Sequence, residues 1–274
     1  MSHTPHTLSH GTRAPQRGFT LVELMVTVAI ALFLLYGLVT TVQNVRQTSL
    51  NQQKLAQLQD EQRFAMTAIT DVIQAGGYTN DPHLDTPSNT FYAQPATAYS
   101  DAYDALTVFS GLYGGGTFPG DRLDVRFKTG TGDGVLNCLG GSNTTGADQT
   151  YYNTFSVVDT TPALGYGELQ CSLSSAATGA PAPGVAPVTL VTGVVNMQIF
   201  YGVKRNLAIT DYNVDTYLRQ DQMVAGDWGN ISSIRVVLTF INPLYTGAVG
   251  STIPQYITLD RVVEVMAHAG NYIS

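Results

Sequence analysis

The chain has few charged residues. Asp, Glu, Lys and Arg make up 12% of its 274 residues, which is about half of the roughly 25% usual for soluble globular domains. Glycine and tyrosine are frequent, with 27 and 15 residues respectively. This composition is typical of a β-rich exported surface, and the net charge of -7 argues against nucleic acid as the main partner.

Cysteine is also scarce, with Cys138 and Cys171 as the two examples in the sequence. Both lie in the polar second part of the chain. In an oxidising compartment they would form a disulfide that closes a loop of about 33 residues and contributes roughly 3–4 kcal/mol on the chain-entropy model. The alternative is two unpaired buried thiols, so the prediction of a disulfide depends on export.

The sequence lacks the usual arrangements of catalytic residues. Of the five histidines, His3, His6 and His10 precede the apolar N-terminal stretch, and His83 and His268 are each interpreted as lone histidines without a metal-ligand set. There is no G-x-S-x-G motif, and the glycines at 114–116 are not followed by the Lys-Ser/Thr of a phosphate-binding loop. We therefore expect no enzyme activity and no cofactor, with a membrane-anchored periplasmic enzyme as the unfavoured alternative class.

A weak calcium motif is the one metal-binding pattern in the sequence. Asp211, Asn213 and Asp215 alternate as oxygen donors do at the start of a calcium loop. Thr216 stands where such a loop needs glycine, and Gln222 replaces the bidentate glutamate. A solvated acidic turn is the simpler interpretation, and we predict no metal site.

The N-terminus combines a basic flank with a long uncharged stretch. Residues 1–18 contain Arg13 and Arg17 but no acid, and residues 24–42 carry no charge. As a helix, that stretch spans about 28 Å, enough to cross a bilayer. A secretory signal peptide would be followed by a small-residue cleavage site, which is missing here. The exception in this apolar region is Glu23, and an ionisable group at a membrane boundary indicates a functional site.

The segment from Arg17 to Met25, with the sequence RGFTLVELM, resembles the class III signal of type IV prepilins and type II secretion pseudopilins. This resemblance implies that a prepilin peptidase cleaves between Gly18 and Phe19 and methylates the new amine of Phe19. It also implies that Glu23 pairs with the Phe19 ammonium of a neighbouring subunit and thereby sets the register of assembly. A plain signal anchor that happens to contain glutamate is the alternative.

No proline lies between Pro15 and Pro82, so a helix can continue far beyond the apolar stretch. A stripe with helical spacing consists of the apolar or small residues Leu55, Leu58, Ala65, Ile69 and Val72, with Gln62 at one position between them. The pattern predicts one helix from about Phe19 to Ala75, near 85 Å long, which ends at Gly76-Gly77. Major pilins often have a proline in the membrane segment, whereas here Gly37 is the weak point of the helix.

The remainder of the chain shows strand patterns. Apolar residues alternate with polar ones at 122–128, 195–201 and 234–240, and residues 256–267 form a further candidate strand. In the first segment, Leu123, Val125 and Phe127 face the core and the charged residues face outward. Residues 140–150 and 174–187 are interpreted as surface loops. We predict an α+β fold in which a long helix packs on an antiparallel sheet, giving a lollipop-shaped subunit.

Several head segments resemble the PilW type of minor pilin: 121–125, 137–140, 169–171, 194–202 and 228–238. The resemblance implies a leader at 1–18, a membrane and stalk helix at 19–77 and a periplasmic head at 78–274. The implied protein is a single-pass subunit of the bacterial inner membrane with its N-terminus in the cytoplasm. Its implied partners are the prepilin peptidase, other minor pilins, the major pilin, the inner-membrane assembly platform and the lipid bilayer. A minor pseudopilin of a type II secretion system is the main alternative.

Overall fold

A computed structural model of the chain describes residues 18, 20–85, 87–97, 100–114, 120–159, 165–176, 186–206, 208, 213–247, 250 and 252–266. Its residues group into two compact units, which divide after Gln53. The first unit holds the N-terminal part of a long helix. The second unit, from Lys54 onward, holds the end of that helix and an antiparallel sheet.

The long helix, α1, extends over Leu21–Ala75. At 1.5 Å per residue its 55 residues span about 82 Å. The helix continues through Gly37, where the hydroxyls of Thr40 and Thr41 donate to the Gly37 carbonyl at 2.9 and 2.8 Å. The predicted long helix is therefore confirmed, and the weak point at Gly37 does not interrupt it.

The C-terminal part of α1 packs on the sheet through one apolar stripe. The buried residues of this stripe are Leu58, Ala65, Met66, Ile69, Val72 and Ile73, and they follow the spacing seen in the sequence. The helix ends because Gly77 adopts a left-handed conformation with φ of 77°, which a side chain disfavours. Gly76 must also be small, since a Cβ there would lie 2.7 Å from the Phe109 ring.

The described residues of the head form one eight-stranded antiparallel sheet with the order β1-β2-β3-β4-β5-β7-β8, and β6 pairs with β5 beside this path. A short helix α2 (Pro87–Thr90) precedes it. The strands are β1 (Phe109–Leu112), β2 (Arg122–Thr129), β3 (Gln149–Val158), β4 (Gly167–Ala176), β5 (Val188–Val203), β6 (Thr216–Leu218), β7 (Ile231–Ile241) and β8 (Tyr256–Glu264). An α+β fold is thus confirmed.

Asp121, directly before the start of β2, forms hydrogen bonds with the middle of β5. Its backbone N–H donates to the Met197 carbonyl at 2.7 Å, and its carboxylate accepts the N–H of Ile199 at 2.8 Å. A third bond comes from the N–H of Gly114 at 3.0 Å. This part of β5 pairs with β7 along one edge, and Asp121 satisfies backbone groups along its other edge.

One expectation about β2 is wrong. Its charged residues were predicted to face outward, yet Asp124 and Arg126 are both fully buried. The reason is the segment that precedes β1. Residues 91–97 and 100–107, here called the cover segment, lie against the second face of β2 through hydrogen bonds to both side chains.

Candidate functional site

The residues predicted to take part in processing and assembly, Gly18, Phe19 and Glu23, lie just before α1 or in its first turn. Gly18 is exposed, and Phe19 lies outside the described residues. Thr20 caps the helix, because its hydroxyl accepts the N–H of Glu23 at 3.3 Å. The Glu23 side chain is exposed in the first turn, where a carboxylate interacts favourably with the helix dipole. Within the part of the chain that the structure describes, Glu23 has no ion-pair partner.

The apolar surface of α1 is unburied within the subunit. Large apolar side chains from Leu21 to Val42 are all at least 44% exposed, and this part of the helix is long and apolar enough to cross a membrane. A surface of this size must be covered by lipid or by other chains. This surface suggests a membrane anchor, and it is not covered by other parts of the described chain.

The predicted disulfide joins Cys138 and Cys171, whose Cα atoms are 6.3 Å apart. Cys171 lies on β4, and Cys138 belongs to the turn before β3. The Cys138 N–H donates to the Asn153 side chain at 2.9 Å, and the Asn153 amide contacts the Val125 carbonyl at 3.4 Å. The bridge therefore anchors an otherwise irregular turn to two strands of the core.

The other candidate residues are not brought together into a site by the structure. Asp211 lies outside the described residues, whereas Asn213 and Asp215 are described. The Asp215 carboxylate accepts the N–H groups of Arg205 and Asn206 at 2.7 and 2.6 Å. Among the described residues, no group of three or more His, Cys, Asp or Glu side chains could hold a metal ion.

The sequence did not reveal a buried polar centre between β2 and the cover segment. The Arg126 guanidinium donates to the carbonyls of Thr107, Tyr92 and Asp104 at 2.7, 2.6 and 2.9 Å, and more weakly to that of Phe91 at 3.3 Å. It also lies 4.5 Å from the centre of the Tyr103 ring, within the range of a cation–π contact. Burial lowers the pKa of this guanidinium, yet an arginine side chain in a protein keeps its proton.

Two sequence families match the chain. The prokaryotic N-terminal methylation motif matches residues 13–38, which include the start of α1. The family described as type IV pilus-assembly protein W matches residues 139–269, from the disulfide-bonded turn to the end of the sheet. Comparison with curated proteins gives no significant match.

The methylation motif at the head of an unburied apolar helix defines the class of protein as a type IV pilin-like subunit. The second match covers residues 139–269, just under half of the 274-residue chain, and shows that this part is similar to the PilW type of minor pilin. Together the two matches support a type IV pilin-like minor pilin. These matches point to a structural, pilin-like subunit.

Proposed function

We propose that this chain is a minor type IV pilin that helps to initiate pilus assembly or forms part of the pilus tip. The observation that carries the proposal is the presence, in one chain, of the methylation motif, the unburied helix and the PilW-type head. Motility, adhesion and DNA uptake would then be properties of the assembled pilus.

The proposed topology follows from charge and redox chemistry. Arg13 and Arg17 precede the apolar helix, and basic residues beside a membrane segment favour the cytoplasmic side. The disulfide in the head is the kind of bond that persists in oxidising compartments such as the periplasm. These features support a cytoplasmic leader at 1–18, a membrane and stalk helix at 19–77 and a periplasmic head at 78–274.

The proposed assembly mechanism pairs opposite charges between neighbouring helices. After cleavage between Gly18 and Phe19, the new amine of Phe19 is a cation at the apolar start of the mature helix. Glu23 of an adjacent subunit, which lacks an ion-pair partner among the described residues, would accept this cation. An unpaired buried charge is strongly unfavourable, so the pair would fix the axial register between helices. Other minor pilins, the major pilin and the assembly platform are the proposed partners.

Deletion of the gene tests whether the chain serves a pilus. We expect few or no surface pili in the deletion strain, because assembly would lack part of its starting complex, and restored pili when the wild-type gene is returned. Electron microscopy and the amount of major pilin in sheared material measure this outcome. Normal pili together with a loss of secreted enzymes would contradict the proposal and would identify a type II secretion pseudopilin instead.

A further inference from the structure

A carboxylate is buried where the cover segment contacts the sheet. Asp124 lies on β2 and is fully buried. Its Oδ2 atom accepts the backbone N–H of Asp101 in the cover segment at 3.0 Å. Its other oxygen accepts the hydroxyl of Thr154 on β3. The carboxyl group thus joins the cover segment directly to two strands.

The positive charge at this position is too small to neutralise both nearby acids. Arg122 donates through Nε to Oδ2 of Asp101 at 2.7 Å and through Nη2 to the other oxygen of the same carboxylate. Its Nε lies 3.9 Å from Asp124. The Arg122 guanidinium therefore interacts with two carboxylates. Arg122, Asp101 and Asp124 together carry a net charge of about -1 when both acids are ionised.

The surrounding groups do not supply the missing charge. Tyr103 in the cover segment and Tyr201 on β5 interact with Asp124, and burial raises the pKa of both phenols well above the ordinary value. Both are therefore neutral at physiological pH. The guanidinium of Arg126 also lies on this face of β2, but it is directed to backbone carbonyls. Tyr152 on β3 interacts with Arg126 and is likewise held neutral by burial, which raises its pKa.

We propose that binding of one proton by Asp124 controls how firmly the cover segment docks on β2 and β3. When Asp124 is protonated, the buried group is neutral and the cover segment is held. When Asp124 is ionised, an uncompensated charge is buried at the contact, and the cover segment opens more often. In an extracytoplasmic head, the pH of the surroundings would then regulate the surface that this segment presents.

The pKa of Asp124 determines whether a rise in pH strengthens or weakens docking of the cover segment, and over which pH range. Burial, together with the charge of Asp101, raises the pKa of Asp124 from 3.8 to about 7, against the opposing effects of Thr154, the Asp101 N–H and Arg122. A raised pKa means that the docked state binds the proton more tightly than the open state does. Docking is therefore strongest below about pH 4, weakens as the pH rises to about 7 and changes little above that value.

Hydrogen exchange of the full-length protein in detergent micelles tests this proposal. Protection factors, corrected for the intrinsic exchange rate at each pH, are measured between about pH 5 and pH 8 for peptides from the cover segment and from β8. For the wild type we expect protection of the cover segment to fall by up to about tenfold per pH unit below pH 7, while β8 is unaffected. A flat profile for the wild-type cover segment would overturn the proposal.

Three variants assign the effect to Asp124. D124N should remove the pH dependence, because an amide cannot release the proton. D260N changes an exposed aspartate paired with Arg235 and should leave the dependence intact. Thr154→Val removes a donor to the ionised carboxylate, so the pH above which protection of the cover segment stops falling, here called the midpoint, should move to a higher value. This variant tests the role of Asp124 if D124N does not fold. The wild-type slope in D124N, or an unmoved midpoint in Thr154→Val, would contradict the proposal.

Discussion

Replacing Glu23 with glutamine is expected to exclude the protein from pili. The change keeps the size of the side chain but removes the charge that would pair with the Phe19 amine of a neighbouring subunit. That amine would then lie unpaired among apolar helices, at a cost of about 3–5 kcal/mol, which corresponds to a loss of incorporation on the order of a hundredfold or more. The measurement is the ratio of this protein in sheared fibres to that in membranes, in a strain lacking the wild-type gene.

The matched control is Glu61→Gln, the same chemical change further along α1. Glu61 accepts a hydrogen bond from Gln57 at 2.8 Å within the exposed surface of the helix, and such a pair contributes a few tenths of a kcal/mol. We expect normal incorporation for this variant. Wild-type incorporation of Glu23→Gln would show that the pairing mechanism is incorrect.

Replacing Arg126 with methionine is expected to destabilise the head by about 3–5 kcal/mol. The substitution keeps an apolar stem but leaves buried carbonyls of the cover segment without their donors, among them those of Thr107 and Asp104. Denaturant unfolding of the full-length protein in detergent measures the loss. Trp228, the single tryptophan, packs 5.1 Å from the ring centre of Tyr201, so its fluorescence reports unfolding of the head.

Arg235→Met is the control for this experiment, since it is the same change on the same sheet. Arg235 pairs with Asp260, and both side chains are more than 40% exposed. Exposed ion pairs contribute about 0–1 kcal/mol, so this variant should unfold at nearly the wild-type denaturant concentration. Equal effects of the two substitutions would contradict the role assigned to Arg126.

The helix and several strands could be predicted from sequence because their signals are local. The absence of proline and the regular apolar stripe predict α1, and its observed end at Ala75 agrees with the stop expected at Gly76-Gly77. Alternation of apolar and polar residues identifies the position of β2, the second half of β5 and most of β7 and β8. The disulfide also followed from composition, once export was assumed.

The features of the fold that could not be predicted from the sequence depend on contacts between residues far apart in the chain. β3 contains Asn153 on its core-facing side, where the amide supports the Cys138 turn, and this polar residue breaks the alternation that marks a strand. The cover segment has no periodicity, so its packing over β2 could not be inferred. Asp124 and Arg126 therefore looked like surface charges. Their burial follows from the contacts that the cover segment, residues 91–97 and 100–107, makes with both side chains.

Mass spectrometry of the protein purified from its native membrane tests whether this chain is a prepilin that is cleaved after Gly18. We expect a mature chain that begins at Phe19 with one methyl group on the terminal nitrogen. A chain that retains residues 1–18 would contradict this expectation.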